Sequence, residues 1–418
     1  MASRDPTLAA ASNNRYTPVS LRDRIGALDA LRGWALLMIL IANMPAYGSP
    51  VYYLADAGEQ WWTSHTDHIA ETLVQTVVHN ESVALFSFLF GLGFAMQFLR
   101  AGSAVGSFLA PYLRRLLALI AIGAIHTYLI WMGDILILYG ILGFFLLLFR
   151  SAKPAVILSL AIVLYLLPPA RWELSVIRQV SGSRASPATM GSPAGALTVQ
   201  EEARKQVESS VHAYAHGSWV EITRQRARDY AYYAAHNQAM TVFPMFLFGL
   251  YAGRRKLFQD IESRLDCFRR ALVRSAAVAL PGIVLLRALY LPMAPSWAAL
   301  FRPVVFAVEH AALIVFYISA ITLIQQHGRL KWLIGSLEAA GRMSLSNYIF
   351  QSVACTLLFY SYGLGLYGRV GPALGVVMAL GLFALQAWLS VLWSRRFRLG
   401  PLEWVWRAVT YGRAPAMR

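Results

Sequence analysis

The first apolar run of the chain is long enough to cross a bilayer, yet it carries the string Leu28-Asp29-Ala30-Leu31-Arg32-Gly33, with Asn43 eleven residues beyond Arg32. A charged side chain inside a membrane helix is costly unless it is paired or faces a water-filled cavity. Asp29 and Arg32 stand at i, i+3 and can neutralise each other on one helix face. That pairing serves a structural ion pair and a functional site equally well. Eleven residues are about three turns, or about 16 Å, so Asn43 lies on nearly the same stripe as Arg32. The stripe predicts a polar path from one end of the helix into its far half.

Further runs of the same kind set the class. Of 418 residues, 57% are hydrophobic and 14% charged; the mean hydropathy is +0.50. Apolar windows of about 20 residues recur along the chain, so the expected fold is all-α, a polytopic membrane helix bundle. Ten transmembrane helices are expected, at 25–47, 71–99, 114–132, 134–150, 154–170, 238–253, 271–291, 300–325, 343–362 and 372–394. They divide the chain into a tail (1–24), an N-terminal bundle (25–170), a polar segment (171–237), a C-terminal bundle (238–394) and a second tail (395–418).

The net charge of +16 does not make a nucleic-acid binder, because the basic residues form short clusters between apolar runs rather than one continuous surface. The clusters are Arg114-Arg115, Arg150 with Lys153, Arg254-Arg255-Lys256, Arg329 with Lys331, and Arg395-Arg396 with Arg398. With the amino end (Arg4, Arg15, Arg22, Arg24) in the cytoplasm, all of them fall on that side, and so does the carboxyl end. The positive-inside rule is then met, with Arg302 and Arg369 as minor exceptions. Cys267 lies in a basic loop and Cys355 in an apolar run, which does not suit a structural disulfide or a metal site.

On that orientation residues 171–237 form an external helical cap. It opens with a Ser/Gly/Pro-rich stretch, Ser181 to Gly195, and continues as an amphipathic, charge-mixed helix from Leu197 to Gln238. His212 and His216 have a metal-compatible i, i+4 spacing but no third ligand in a known pattern, so a solvated face is expected and no metal is assigned. His65, Asp67 and His68 in the first external loop are read the same way. The segment Trp393 to Arg413 is expected to lie along the cytoplasmic interface.

Further polar residues inside or at the ends of the spans remain. His126 lies eleven residues beyond Arg115, at a depth comparable with Asn43. Its imidazole suits proton transfer near neutrality, or a hydrogen bond between helices. Asp134 follows at the outer mouth and can orient the ring. In the ninth span Asn347 and Gln351 share a face, while Arg342 stands at the cytoplasmic entrance, where an anion can meet it. Ligand contact and interhelical bonding by Asn347 and Gln351 both fit. The string Phe86 to Gly93 lacks the third glycine and the strand of a nucleotide loop, and is assigned to close helix packing.

Taken with Leu85 to Gly93, Ile125-His126, Trp131-Met132-Gly133-Asp134-Ile135-Leu136, Tyr139, Gly341 to Tyr348 and Gly400-Pro401-Leu402-Glu403-Trp404, these residues resemble the YeiB family over nearly the whole chain. That family is defined by a domain of unknown function numbered 418. The external cap is the least family-like part. Glu81 is a second departure, standing where members carry a basic residue.

The YeiB family in turn resembles the transmembrane acyltransferases, including the acyltransferase-3 proteins and the lysosomal heparan glucosaminide acetyltransferases. Those open with an Asp-x-x-Arg-Gly string and pass acetyl groups from cytosolic acetyl-CoA to a hydroxyl or amine across the bilayer. Acyltransferase-3 proteins place a catalytic histidine where this chain has Asn43, and the heparan enzymes place theirs where it has Leu54. The resemblance therefore implies an acyl-CoA donor and leaves His126 as the candidate base, with Asp134 and Asn43 beside it. Asp29, Arg32, Arg114, Arg115, Arg342, Asn347 and Gln351 are the candidate substrate- or cofactor-binding residues, with Arg114, Arg115 and Arg342 toward the CoA phosphates. An extracytoplasmic glycan or small molecule is the expected acceptor. The expected location is the bacterial cytoplasmic (inner) membrane, with the lipid bilayer as partner; a homo-oligomer is left open. The competing reading is a transporter or channel in which Asp29, Arg32 and His126 relay protons or ions.

Overall fold

The computed structural model describes residues 25–101, 105–182, 193–235, 239–290, 298–328 and 330–418. The tail 1–24 and residues 183–192 of the Ser/Gly/Pro-rich stretch lie outside the described residues. The first half of the chain forms α1 (Gly26–Gly48), α2 (Val51–Ala57), α3 (His65–Val77), α4 (His79–Ala101), α5 (Val105–Ile125), α6 (Leu136–Leu146) and α7 (Pro154–Gly182). The second half forms α8 (Pro193–His216), α9 (Trp219–Ala235), α10 (Ala239–Arg254), α11 (Leu265–Leu289), α12 (Ala298–Gln326), α13 (Lys331–Arg342), α14 (Ser344–Phe359), α15 (Pro372–Ser394) and α16 (Pro401–Tyr411). The fold is all-α.

Among the described residues six stretches are long and apolar enough to cross a membrane: Gly26–Gly48, His65–Ala101, Phe108–Ile130, Glu262–Leu289, Leu300–Gln326 and Pro372–Ser394. The protein is a helical membrane protein, with six spans supported by length and composition among the ten expected. Of the other four apolar runs, three fold into the shorter helices α6, α10 and α14, and the fourth begins α7, which continues to Gly182. The 16 residues of α10 or α14 extend about 24 Å, less than a hydrocarbon core of about 30 Å.

Of the six, α1 is the most enclosed, packed against α4, α12, α13, α14 and α15. Lipid offers little hydrophobic drive for helix association, so close approach depends on small residues. A Cβ on Gly33 would overlap the Leu337 carbonyl, and one on Gly341 would overlap the Asp29 carbonyl, so the two glycines let α1 and α13 touch backbone to backbone. Gly91 against the Phe246 carbonyl and Gly249 against the Phe88 carbonyl do the same for α4 and α10. The Phe86 to Gly93 string is a packing element, as its sequence indicates.

The expected amphipathic helix exists as two, α8 and α9, broken at Gly217-Ser218. The break is a reciprocal cap: Ser218 N–H donates to Glu221 Oε2 at 2.7 Å, and Glu221 N–H donates to Ser218 Oγ at 3.4 Å. His212 and His216 are exposed on α8. The cap is fastened to the bundle through Asp229, which accepts from Tyr53 (2.7 Å), Tyr214 (2.6 Å) and Gln225 (2.8 Å). Burial pushes the Asp229 carboxyl up, and hydrogen bonds from Tyr214, Tyr53 and Gln225 oppose that. At the opposite end, where the arginine clusters gather, α16 lies under α5: Trp406 Nε1–H donates to the Arg115 carbonyl at 3.0 Å, and the Arg115 guanidinium sits 4.3 Å over the Trp406 ring. We call these the cap end and the basic end.

The glycine contacts yield a matched pair of substitutions on α13. Gly341→Ala drives a methyl into backbone and is expected to destabilise the protein by about 1 to 3 kcal/mol. Gly335 faces open space, so Gly335→Ala is expected to leave the thermal midpoint in detergent unchanged or raised.

Candidate functional site

After Ile125 the fifth helix does not simply stop. His126–Ile130 form one π-turn, closed by Trp131 N–H donating to the His126 carbonyl at 2.8 Å. Such turns recur at functional sites, and this one turns the imidazole into the bundle, where it has no solvent exposure. Asp134 returns beside it across Gly133. Its Oδ2 lies 2.8 Å from His126 Nδ1, and its Oδ1 accepts from Ile137 N–H at 2.9 Å. Two glycines make room: a Cβ on Gly123 would stand 2.8 Å from Asp134 Oδ1, and one on Gly133 would overlap the Trp131 ring.

The carboxylate accepts from Nδ1–H, so Nε2 is left as an acceptor. It takes the hydroxyl of Ser352, on α14, at 2.8 Å. The Ser352 oxygen in turn lies 2.8 Å from the hydroxyl of Tyr47 on α1. Asp134, His126, Ser352 and Tyr47 thus form one buried chain across three helices. The cap closes over it, because Arg226 donates to the Tyr128 carbonyl of the π-turn at 3.1 Å and is itself fully buried.

The basic end holds a cavity of about 270 Å³. Arg32, Arg100, Arg115, Arg342 and Arg407 line it against two carboxylates, Asp29 and Glu403. Asp29 binds Arg32 at 2.6 Å. Glu403 is engaged in capping α14, accepting from Leu345 N–H at 2.7 Å and Ser346 N–H at 3.1 Å. Burial pushes the Glu403 carboxyl up, while hydrogen bonds from Ser346 and Leu345 oppose it. The walls turn apolar inward, through Met96, Leu89, Phe90 and Phe86. Arg100 and Phe86 are fourteen residues apart on α4, so the cavity runs about 21 Å along that helix. At its inner end the Phe90 ring is 5.4 Å from that of Tyr139, five residues beyond Asp134. A second cavity of about 220 Å³ shares Arg342 and adds Arg395, Arg396, Arg398 and Arg418.

The cap end has a cavity of another character, about 390 Å³, lined by Trp61, Trp62, Glu59, Glu71, Gln60 and Gln75. Met44 and Phe359 form part of its floor, three residues before Tyr47 and seven after Ser352.

The structure brings together His126 and Asp134 at the chain, and Asp29, Arg32, Arg115 and Arg342 at the basic cavity. It separates the other candidates from them. Arg114, one position from Arg115, points away and is exposed beside Gly412. Asn43 is half-buried on α1, one turn short of Tyr47, which holds the place by Ser352. Asn347 donates to Ser390 Oγ at 3.0 Å and Gln351 to Gln386 Oε1 at 2.8 Å, so both serve the interhelical bonding that was their alternative reading. Asp67 accepts from Ala373 N–H at 2.9 Å and so caps α15. Arg100, Arg407, Tyr47, Ser352 and Arg226 were missed. Arg100 had a signal, since it ends the second apolar run within a turn of the basic end.

This framework has relatives. A family model described as "Protein of unknown function (DUF418)" matches residues 252–413, which contain α13, α14 and α16. The "Uncharacterized protein YxaH" of Bacillus subtilis (strain 168) is 33% identical over 412 residues, covering 94% of this chain and 96% of that protein. The chain belongs to the DUF418 family. The "Uncharacterized protein YeiB" of Escherichia coli (strain K12) is 29% identical over 405 residues, covering 93% of this chain and 96% of its own. The resemblance to the YeiB family found in the sequence therefore holds along the chain. The stretch matched by the DUF418 model supplies Ser352 and, from the cavity, Arg342, Glu403 and Arg407.

The dependence of the buried chain on Asp134 is testable. Asp134→Ala leaves Nδ1–H of His126 and N–H of Ile137 without acceptors, with an expected loss of about 2 to 4 kcal/mol in detergent unfolding. Asp134→Asn keeps an acceptor for Ile137 and is expected to lose about half as much.

Proposed function

We propose that this DUF418 protein is a membrane acyltransferase that takes an acyl group, such as acetyl, from cytosolic acyl-CoA and delivers it to a hydroxyl or amine at the opposite face. The observation that carries the reading is the basic cavity. Five guanidinium groups at its mouth suit phosphate oxygens, which arginine grips in bidentate fashion. Its apolar inner half suits the thioester arm, and its Phe90 ring lies 5.4 Å from that of Tyr139, five residues beyond the Asp134 that holds the His126 imidazole, a pair suited to general-base work. The adjoining cavity beyond Arg342 offers further arginines to the phosphates of the nucleotide portion. On the far side, the cavity with Trp61, Trp62 and four carboxylate or amide side chains suits a glycan or other polyhydroxy or amino acceptor.

The location follows from the same reading. A donor made in the cytosol requires the basic end to face inward, as the positive-inside rule also favours. Both ends of the chain then lie in the cytoplasm, the cap lies outside, and a bacterial inner membrane is the setting. One observation favours the transport reading instead: Glu81 and His310 pair at 2.9 Å within the bundle, with Glu309 buried beside His310. None of the three lines the basic cavity.

Two measurements test the proposal. Acetyl-CoA binding to purified protein is expected to weaken by about 1 to 3 kcal/mol in each of Arg100→Ala, Arg342→Ala and Arg407→Ala, and to be unchanged in Arg114→Ala. Absence of binding, or an equal loss in Arg114→Ala, contradicts the donor site. A cysteine at exposed Glu202 is expected to react with an impermeant thiol reagent added to whole cells, and one at Lys256 only after lysis. The reverse pattern inverts donor and acceptor sides.

A further inference from the structure

We propose that Ser352 is a nucleophile that carries the acyl group as an ester between donor and acceptor, so that transfer proceeds in two covalent steps. The inference rests on the acyltransferase reading above and adds to it a residue and an intermediate. Its basis is geometric. Ser352 Oγ is 2.8 Å from His126 Nε2, and His126 Nδ1 is 2.8 Å from Asp134 Oδ2. A hydroxyl, an imidazole and a carboxylate joined in this order are the parts of an activated serine, which is recognised by geometry and roles rather than by sequence order.

A second observation supplies the remaining part. Trp131 is 1% exposed, and its indole N–H has no hydrogen-bond partner. An orphaned donor at that burial carries an uncompensated desolvation cost. Its ring lies 4.0 Å from that of Tyr47 and 6.2 Å from that of His126, beside the serine chain. An unfilled N–H there suits an oxyanion that exists only during reaction. The Tyr47 hydroxyl, 2.8 Å from Ser352 Oγ, is a second donor at the same place. Exclusion of water is also explained, since an acyl-serine has to survive until the acceptor arrives.

The steps balance. Ser352 Oγ attacks the thioester carbonyl while its proton passes to His126 Nε2. The oxyanion takes the Trp131 N–H. When the C–S bond breaks, the thiolate of CoA leaves with the proton from His126. An acceptor hydroxyl or amine then attacks the ester carbonyl, giving its proton to His126, and the C–O bond to Ser352 breaks as Oγ recovers that proton. The acyl group thereby passes by way of one oxygen, so donor and acceptor need not be bound at the same time.

The first half-reaction needs no acceptor, so it is tested with acetyl-CoA and a long-chain acyl-CoA alone. Purified protein mixed with radiolabelled acyl-CoA is expected to release about one equivalent of thiol and to gain the mass of one acyl group on the peptide containing Ser352. Ser352→Ala should abolish both while binding acyl-CoA within about twofold of the parent. Ser352→Cys keeps the size and a nucleophile, and should carry the label as a thioester cleaved by neutral hydroxylamine. His126→Gln should slow labelling by roughly 10² to 10⁴, and Trp131→Phe by roughly 10² to 10³. Acyl-CoA that binds without labelling the parent, or a label that persists in Ser352→Ala, overturns the role of Ser352 and leaves direct transfer in place. Failure to bind either acyl-CoA overturns this inference together with the reading it rests on.

Discussion

Hydrocarbon offers no hydrogen bonds, so every polar side chain carried into the bundle has to find its partner within the protein. That constraint organises the whole interior. Asp134, His126, Ser352 and Tyr47 close on one another across α5, α14 and α1. Asn347, Ser390, Gln386 and Gln351 close on one another between α14 and α15. These chains fix which helix faces which, while the glycine pairs fix how closely they approach. The indole N–H of Trp131 is an exception, and it stands where chemistry is proposed.

What the sequence disclosed depended on the span over which each feature is encoded. The helices, the cap and the His126–Asp134 contact are local: eight residues separate the last pair, and the intervening turn can be followed from Trp131 to Gly133. The partnership of His126 with Ser352 crosses 226 positions and depends on the packing of α14 against the π-turn after α5, which no local pattern states. Helical phase accounts for a second kind of error. Arg114 and Arg115 are equal in charge and nearly equal in depth, but successive residues point about 100° apart, and only Arg115 enters the cavity. Asn347 and Gln351 share a face as expected, and that face meets α15 rather than a ligand space. Span length is a third matter: six stretches among the described residues have the length and composition of a crossing, and the lengths of short apolar helices such as α6, α10 and α14 appear only once their ends are seen.

The π-turn at His126 shows how a small local irregularity places a side chain that regular geometry would not. Closing the turn over one extra residue swings the backbone so that His126 faces inward while Tyr128 and Leu129 remain exposed. The carbonyl at Tyr128 is then met by Arg226 from the cap, so the cap is fastened to the irregular turn itself. Gly123 and Gly133 leave the volume that Asp134 and the Trp131 ring occupy.

The tail helix α16 does two things with one surface. It forms the floor of the basic cavity through Glu403, Trp406 and Arg407, and the same Glu403 holds the first N–H groups of α14, Leu345 and Ser346. Ser352 lies two turns further along that helix. The floor of the cavity and the start of the helix that bears Ser352 therefore share one carboxylate, so any displacement of Glu403 disturbs both at once.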